Sequence, residues 1–317
     1  MTYCPAVTMS LVLAAFMVFA KPATAEITAE RSPNGIVVKI DGKPFTEYLV
    51  DCQGTPALWP IIGPTGKPMT RAYPMGEAPG EKQDHPHHRS MWFTHGDVNG
   101  LSFWHREKVK HRKFAKIESG DTAVIVTQND WLAPDGTKVC EDERTLRFGS
   151  DGHARWIDFD ITLKATDKPV KFGDTKEGTF AVRVAGPMKV DAKKGGRIVN
   201  SDGLEGKSAW GKPAAWVDYS GPVNAKNPGR DEILGIAIFN HPDSFRFPTY
   251  WHVRTYGLFA ANPFGLHDFK GDKKADGSHT LSPGKSMTLR YRVFLHRGDE
   301  TTGKVAKAFA DYSKGAK

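Results

Sequence analysis

The stretch ARWIDFDITL, Ala154–Leu163, alternates without a break. Ile157, Phe159, Ile161 and Leu163 share one face, and Asp158, Asp160 and Thr162 share the other. Strict period-two alternation over this length predicts a strand with one buried face in an antiparallel sheet. Working outward, Met287–Leu295 repeats the pattern, with Met287, Leu289, Tyr291, Val293 and Leu295 inward and Arg290 and Arg292 outward. Ile36–Ile40, Ala123–Thr127 and Ile233–Phe239 read as further strands. Asp41-Gly42, Pro134-Asp135-Gly136, Asp151-Gly152 and Asp202-Gly203 supply the turns. Helical periodicity is confined to the tail, where Val305, Ala308, Phe309 and Tyr312 fall on one face. The expectation is an all-β protein: one large antiparallel β-sandwich with a short C-terminal helix.

A chain of 317 residues is long enough for such a core. Ser10–Ala20 is an apolar run of signal-peptide length, and Ala23-Thr24-Ala25 follows as a small-residue cleavage site. Residues 1–25 therefore read as a signal peptide and 26–317 as one exported, periplasmic or extracellular domain, without stable insertion in a membrane. The net charge of +8 is spread along the chain. The basic run Lys108–Lys113 looks like a solvated hairpin, and no nucleic-acid motif accompanies it. The mature chain keeps Cys52 and Cys140, which form either one bridge or two buried thiols.

Three segments carry the chemistry. QDHPHHRSMWFTHGDVNG, residues 83–100, holds four of the twelve histidines. Imidazole titrates near neutrality and can give or take a proton. Arg89 can hold a hydroxyl or carboxylate, Trp92 offers a flat face for a sugar ring, and Asn99-Gly100 closes a turn. If the segment is extended, His87, Arg89 and His95 share one face and His88, Trp92 and Thr94 the other. A metal at His85, His87 and His88 is the less favoured reading, because their spacing is not a diagnostic ligand pattern. In the second segment, DTKEGTFAVRV, Glu177, Ala181 and Arg183 project together, while Phe180, Val182 and Val184 face the other way. The third runs from His241 through WHVRTYGLFAANPFG. It sets His252 and Arg254 on one face and Trp251 and Val253 on the other, with Asn262 beyond. No GxSxG, HExxH, phosphate-loop or dinucleotide fingerprint occurs.

Those three motifs, in that order, resemble the secreted bacterial family labelled "methane oxygenase PmoA", from about Ile36 to Arg297. The resemblance implies a galactose-mutarotase-like β-supersandwich. Sugar-active members of that fold use paired histidines and a carboxylate around a pyranose ring. By residue type, the catalytic candidates are His88, His95, His241 or His252, with Glu177. The substrate-binding candidates are Arg89, Trp92, Asn99, Arg183, Trp251, Arg254 and Asn262. The sequence thus predicts a carbohydrate-active protein that takes a sugar or glycoside, with no cofactor and with His/Glu acid–base chemistry (epimerase, lyase or hydrolase). The alternatives are a non-catalytic glycan-binding module and a metal-dependent oxidoreductase or hydrolase. All of these require that the three segments meet in space.

Overall fold

The computed structural model describes residues 1–2, 25–224 and 232–315. The apolar run and cleavage motif read as a signal peptide lie outside these, apart from Ala25. Among the described residues, eighteen strands form two eight-stranded antiparallel sheets and a two-stranded ribbon.

The first sheet takes β1 (Ile27–Ser32), β2 (Gly35–Ile40), β3 (Lys43–Leu49), β4 (Ala57–Leu58) and β5 (Met91–His95) from the N-terminal part. The second takes β6 (Lys108–Glu118), β7 (Ala123–Leu132), β8 (Lys138–Ser150) and β9 (Arg155–Lys164) as a meander. The chain then makes β10 (Val170–Phe172) and returns to the first sheet as β11 (Gly178–Arg183). It crosses again for β12 (Arg197–Asn200), β13 (Trp216–Pro222) and β14 (Ile233–Asn240). After β15 (Tyr250–Val253) and β16 (Leu258–Asn262) come a short helix α1 (Leu266–Lys270) and β17 (His279–Leu281). β18 (Ser286–Arg297) and α2 (Val305–Lys314) finish the fold. The first sheet runs β1-β2-β3-β4-β5-β11-β16-β15 and the second β12-β13-β14-β18-β9-β8-β7-β6, while β10 pairs with β17.

The strand that decides the fold behaves as its alternation requires. Ile157, Phe159, Ile161 and Leu163 are buried in the main core, and so are Met287, Leu289, Tyr291, Val293 and Leu295 of the neighbouring β18. On the opposite face Asp158 accepts two hydrogen bonds from Arg292, 2.5 and 2.9 Å, across the same pair of strands. The two sheets meet through aromatic side chains: Phe180 stacks on Tyr291 at 4.8 Å, Phe93 on Phe159 at 6.2 Å, and Phe45 meets Phe148 edge-on at 6.1 Å. Full burial of each such ring contributes about 1.5–3 kcal/mol, so this one shared core joins the sheets into a sandwich. The predicted tail helix is present, and its Phe309 and Tyr312 pack on Phe239 of β14.

Cys52 and Cys140 are buried free thiols in separate clusters. Burial pushes the Cys52 thiol up to about 11, so it stays protonated. No helix among the described residues is long and apolar enough to cross a membrane.

Candidate functional site

The sheet topology answers the question the sequence poses. β5, β11, β16 and β15 are consecutive neighbours, and they carry the ends of all three chemistry-bearing segments. Trp92 lies opposite Ala181, and His252 opposite Ala260. Phe93, Phe180, Val182, Phe259, Trp251 and Val253 point into the sandwich. The alternate residues Trp92, Ala181, Leu258 and Ala260 form a separate buried cluster on the outer face, joined by Trp104. Ala181, Leu258 and Ala260 are fully covered, and the larger rings pack over and around them; the outward side of this cluster, framed by the groups described next, is the candidate depression.

On one side a column of flat rings builds the wall. Tyr256 stacks on His85 at 5.5 Å, His85 on His88 at 4.7 Å, and His88 on Trp92 at 5.5 Å. Trp104 leans on Trp92 at 5.1 Å. His87 meets His88 edge-on at 4.5 Å and His105 at 4.6 Å. His85, His105 and Arg254 are exposed, and His87, Glu177, Tyr256 and Trp210 are half-buried. These residues make the solvent-facing rim. Across from the histidines, Arg254 lies over the rings of Trp210 and Tyr256, 5.7 and 5.8 Å from their centroids.

Buried charge holds the rings in place. Arg71 donates to the carbonyls of Tyr73, Asp84, His85 and His88 and to the Asp84 carboxylate at 2.8 Å. Arg183 donates to the same Asp84 oxygen at 3.0 Å and to His88 Nδ1 at 3.2 Å. Its guanidinium sits 4.8 Å from the Tyr256 ring centroid. Burial works against the charge on Asp84. The hydrogen bond from His85 and the charges of Arg183 and Arg71 outweigh it and hold the carboxyl at about 2. Because a guanidinium can only donate, His88 Nδ1 accepts, and the proton of neutral His88 stands on Nε2. Burial, then the Arg183 charge, drives His88 far below the usual imidazole range. His88 is therefore a fixed neutral donor. Burial and the His105 and His85 rings push His87 down to about 3, and burial also lowers His105. His252 Nδ1 donates to the Lys176 carbonyl at 2.8 Å, so Nδ1 is the protonated nitrogen. Burial holds its pKa at about 4. At neutral pH the site thus presents uncharged imidazoles beside the Glu177 carboxyl group, which raises the proton affinity of His105 through its charge.

Polar atoms around this face that are buried and have no partner among the described residues include Trp92 Nε1, Thr94 Oγ1, Trp104 Nε1, Arg183 Nε and Trp210 Nε1. Such groups are costly unless a water or ligand meets them, and their gathering in one place marks it.

Several expected site residues are elsewhere or already engaged. His241 directly follows β14 of the second sheet, where its ring meets Tyr312; it leaves the cluster because its segment ends a strand of the other layer. His95 points inward against Phe264, with Nε2 bonded to the Gly173 carbonyl. Trp251 is in the core and donates to Ala214. Arg89 spends its donors on the carbonyls of Cys52, His87 and Gln53. Asn262 is used by Thr175 and Phe264, and Asn99 by Lys171 and Pro169 in the Asn99-Gly100 turn. The extended reading of His85–Arg89 also fails. His85 and Ser90 have positive φ, and β5 begins only at Met91. His88, Trp92, Glu177, Arg183, His252 and Arg254 remain around the depression. Trp104 and His105 were not singled out from sequence, although Phe103-Trp104-His105-Arg106 shows the same aromatic–His–Arg combination. Arg71 carries no such local signal. No group of three or more His, Cys, Asp or Glu among the described residues is arranged to hold a metal ion. His85 and His88 lie parallel and face to face rather than aiming their nitrogens at one point.

Residues 35–310 match the family described as a family of unknown function (DUF6807). The chain belongs to this family. That match takes in every strand from β2 to β18 and all the residues placed around the depression. No curated protein matches the sequence. Among solved structures, a galactose mutarotase-like protein from Clostridium acetobutylicum is 11% identical, with a TM-score of 0.41, over 86% of this chain and 98% of that one. A galactose mutarotase related enzyme from Lactobacillus acidophilus is 13% identical, with a TM-score of 0.30, over 86% and 95%. A β-arabinopyranosidase is 12% identical, with a TM-score of 0.33, over 87% of this chain and 38% of that one. The chain thus spans well under half of the β-arabinopyranosidase and a similar share, 34%, of a matching polysaccharide lyase.

Proposed function

We propose that this DUF6807 protein is an exported, carbohydrate-active protein that seats a sugar or glycoside on the outer face of β5, β11, β16 and β15. The observation that carries the reading is the convergence there of uncharged imidazoles, the Glu177 carboxyl group and flat ring walls over unpartnered buried donors. A sugar offers what such a surface lacks. Its hydroxyls accept from and donate to imidazoles, and its C–H face lies on rings such as Tyr256 and Trp210. His88, locked as a donor, holds a ring oxygen or hydroxyl. Glu177, as a carboxylate, accepts a proton at or near the anomeric carbon, and His105 moves the proton of the opposite transfer. Epimerisation, elimination and hydrolysis all use this division of labour. Arg183 acts as a positioning residue for His88.

The test is turnover and binding across a glycan panel with the wild type, His105→Ala, Glu177→Ala and His252→Ala. Loss of turnover in the first two, with the fold intact, is expected. Turnover unchanged in all three removes the catalytic assignment. Binding without turnover of any glycan leaves a binding module on the same face.

A further inference from the structure

The basic run that begins β6 does more than solvate a hairpin. Arg106, Lys108, Lys110 and His111 line a cavity of about 600 Å³, with Asp51 and Glu107 as its acidic residues. Edge strands often carry lysines to discourage pairing with another chain, and β6 is the edge of its sheet. Its lysines differ, however. Lys116 is paired with Glu118 at 2.8 Å, whereas among the described residues Arg106, Lys108 and Lys110 have no ion-pair partner and face the cavity.

This cavity adjoins the histidine rim and shares its walls. His105 stands on the rim, and Arg106, the next residue, lines the cavity. A tight turn joins them: the backbone N–H groups of Arg106 and Glu107 both donate to the Ser102 carbonyl, each at 3.0 Å. The second shared wall is the loop after β3, of which Asp51 and Gly54 face the cavity. Arg89 ties that loop to the rim, because its guanidinium donates to Cys52 and Gln53 of the loop and to His87 of the rim. Gly54 in turn accepts from Val109 of β6 at 2.8 Å. One buried cation therefore fixes both places relative to each other.

We infer that the ligand is an acidic oligosaccharide: one sugar unit occupies the depression and the chain continues past His105 into the cavity, where Arg106, Lys108 and Lys110 meet its carboxylates. This rests on the sugar reading of the depression and extends it to chain length and charge. Its volume of about 600 Å³ lies within the usual range of ligand pockets, about 300–1,000 Å³, which leaves room for the chain to continue. Unpaired cations on its wall select anions and make binding sensitive to salt.

Calorimetric titration of the full chain with four probes tests it: D-galacturonate, linear trigalacturonate, D-galactose and linear galactotriose. Lys108→Glu/Lys110→Glu and the milder Lys108→Gln/Lys110→Gln are compared with the wild type, each checked for an unchanged melting temperature. The expected result is that trigalacturonate binds roughly tenfold or more tightly than galacturonate. Both double variants remove that gain and leave the monosaccharide affinity unchanged. Raising salt from about 50 to about 500 mM erodes the same gain. A trimer that gains nothing, or a neutral trimer that gains as much as the acidic one, overturns the inference. If a monosaccharide still binds and His105→Ala abolishes it, the sugar reading survives that failure. If none of the four sugars binds, the sugar reading falls with it.

Discussion

Replacing Asp84 by Asn removes one negative charge from between Arg71 and Arg183 and keeps the shape of the side chain. In the wild type this carboxylate accepts from Arg71 at 2.8 Å and Arg183 at 3.0 Å, and His85 lies 3.2 Å away. Its drop from an ordinary 3.8 to about 2 corresponds to roughly 2.5 kcal/mol, at about 1.36 kcal/mol per pH unit. The side chain is 22% exposed, and screening trims the figure to about 1–2 kcal/mol. A second route sets an upper limit. Removing one partner of a fully buried pair costs about 3–5 kcal/mol, but Arg71 keeps its carbonyl acceptors here. The sign follows from the direction of the shift. A carboxyl depressed in the folded state stabilises above its unfolded value and loses that contribution as pH falls through the folded one. Urea unfolding of wild type and Asp84→Asn should therefore differ by about 1–2 kcal/mol from pH 5 to 8. The difference should shrink as pH falls from about 4 toward about 2. Equal midpoints at neutral pH, or a gap that persists unchanged in acid, would refute the bracketing of Asp84 as a source of stability.

Further outcomes follow from the same geometry. Arg183→Lys keeps a cation but loses the fork that reaches both His88 and Asp84; nitrogen NMR shifts should show His88 no longer held as the Nε2–H tautomer, and wild-type shifts in the variant would remove its positioning role. Glu177→Gln and His105→Ala should each lower turnover by about 10²–10⁴-fold at unchanged melting temperature. Because burial lowers His105 and pushes His87 down to about 3 and His252 to about 4, activity that relies on neutral imidazoles should decline only below the ordinary imidazole value, about 6.5; a midpoint at or above that value would contradict the depressed values. Arg144→Met leaves Asp142 buried without its partner at 2.9 Å, at a cost of about 3–5 kcal/mol, read from the shift in denaturant midpoint.

Much of the fold was legible because antiparallel strands with one buried face write their burial into alternate positions. Ile157 to Leu163 and Met287 to Leu295 needed no context, and the tail helix announced itself through Val305, Ala308, Phe309 and Tyr312. The strands beneath the site were harder. Met91–His95, Gly178–Arg183 and Leu258–Asn262 are buried on both faces, so alternation alone cannot say which face lines a site. His95 went to the core and His88 to the depression for that reason. Residue type also could not show which donors are already spent. Arg89 and Asn262 look like ligand-holding groups, yet each satisfies backbone carbonyls or amides of nearby loops. Conversely, Arg71 shapes the histidine column from earlier in the same β4–β5 connection, through hydrogen bonds to carbonyls that any residue possesses. His241 shared the chemistry of the other histidines but follows a strand of the opposite layer, and only the sheet order reveals that.

The central claim is that a sugar sits on the outer face of β5, β11, β16 and β15. A crystal structure of the protein with a bound glycan from the panel tests it most directly. The account predicts a sugar ring within hydrogen-bond distance of His105 and Glu177, with its flat face toward Tyr256 or Trp210. A glycan bound instead on the second sheet, in the charged groove beside His241 and Tyr312, with the depression left to solvent, would contradict it.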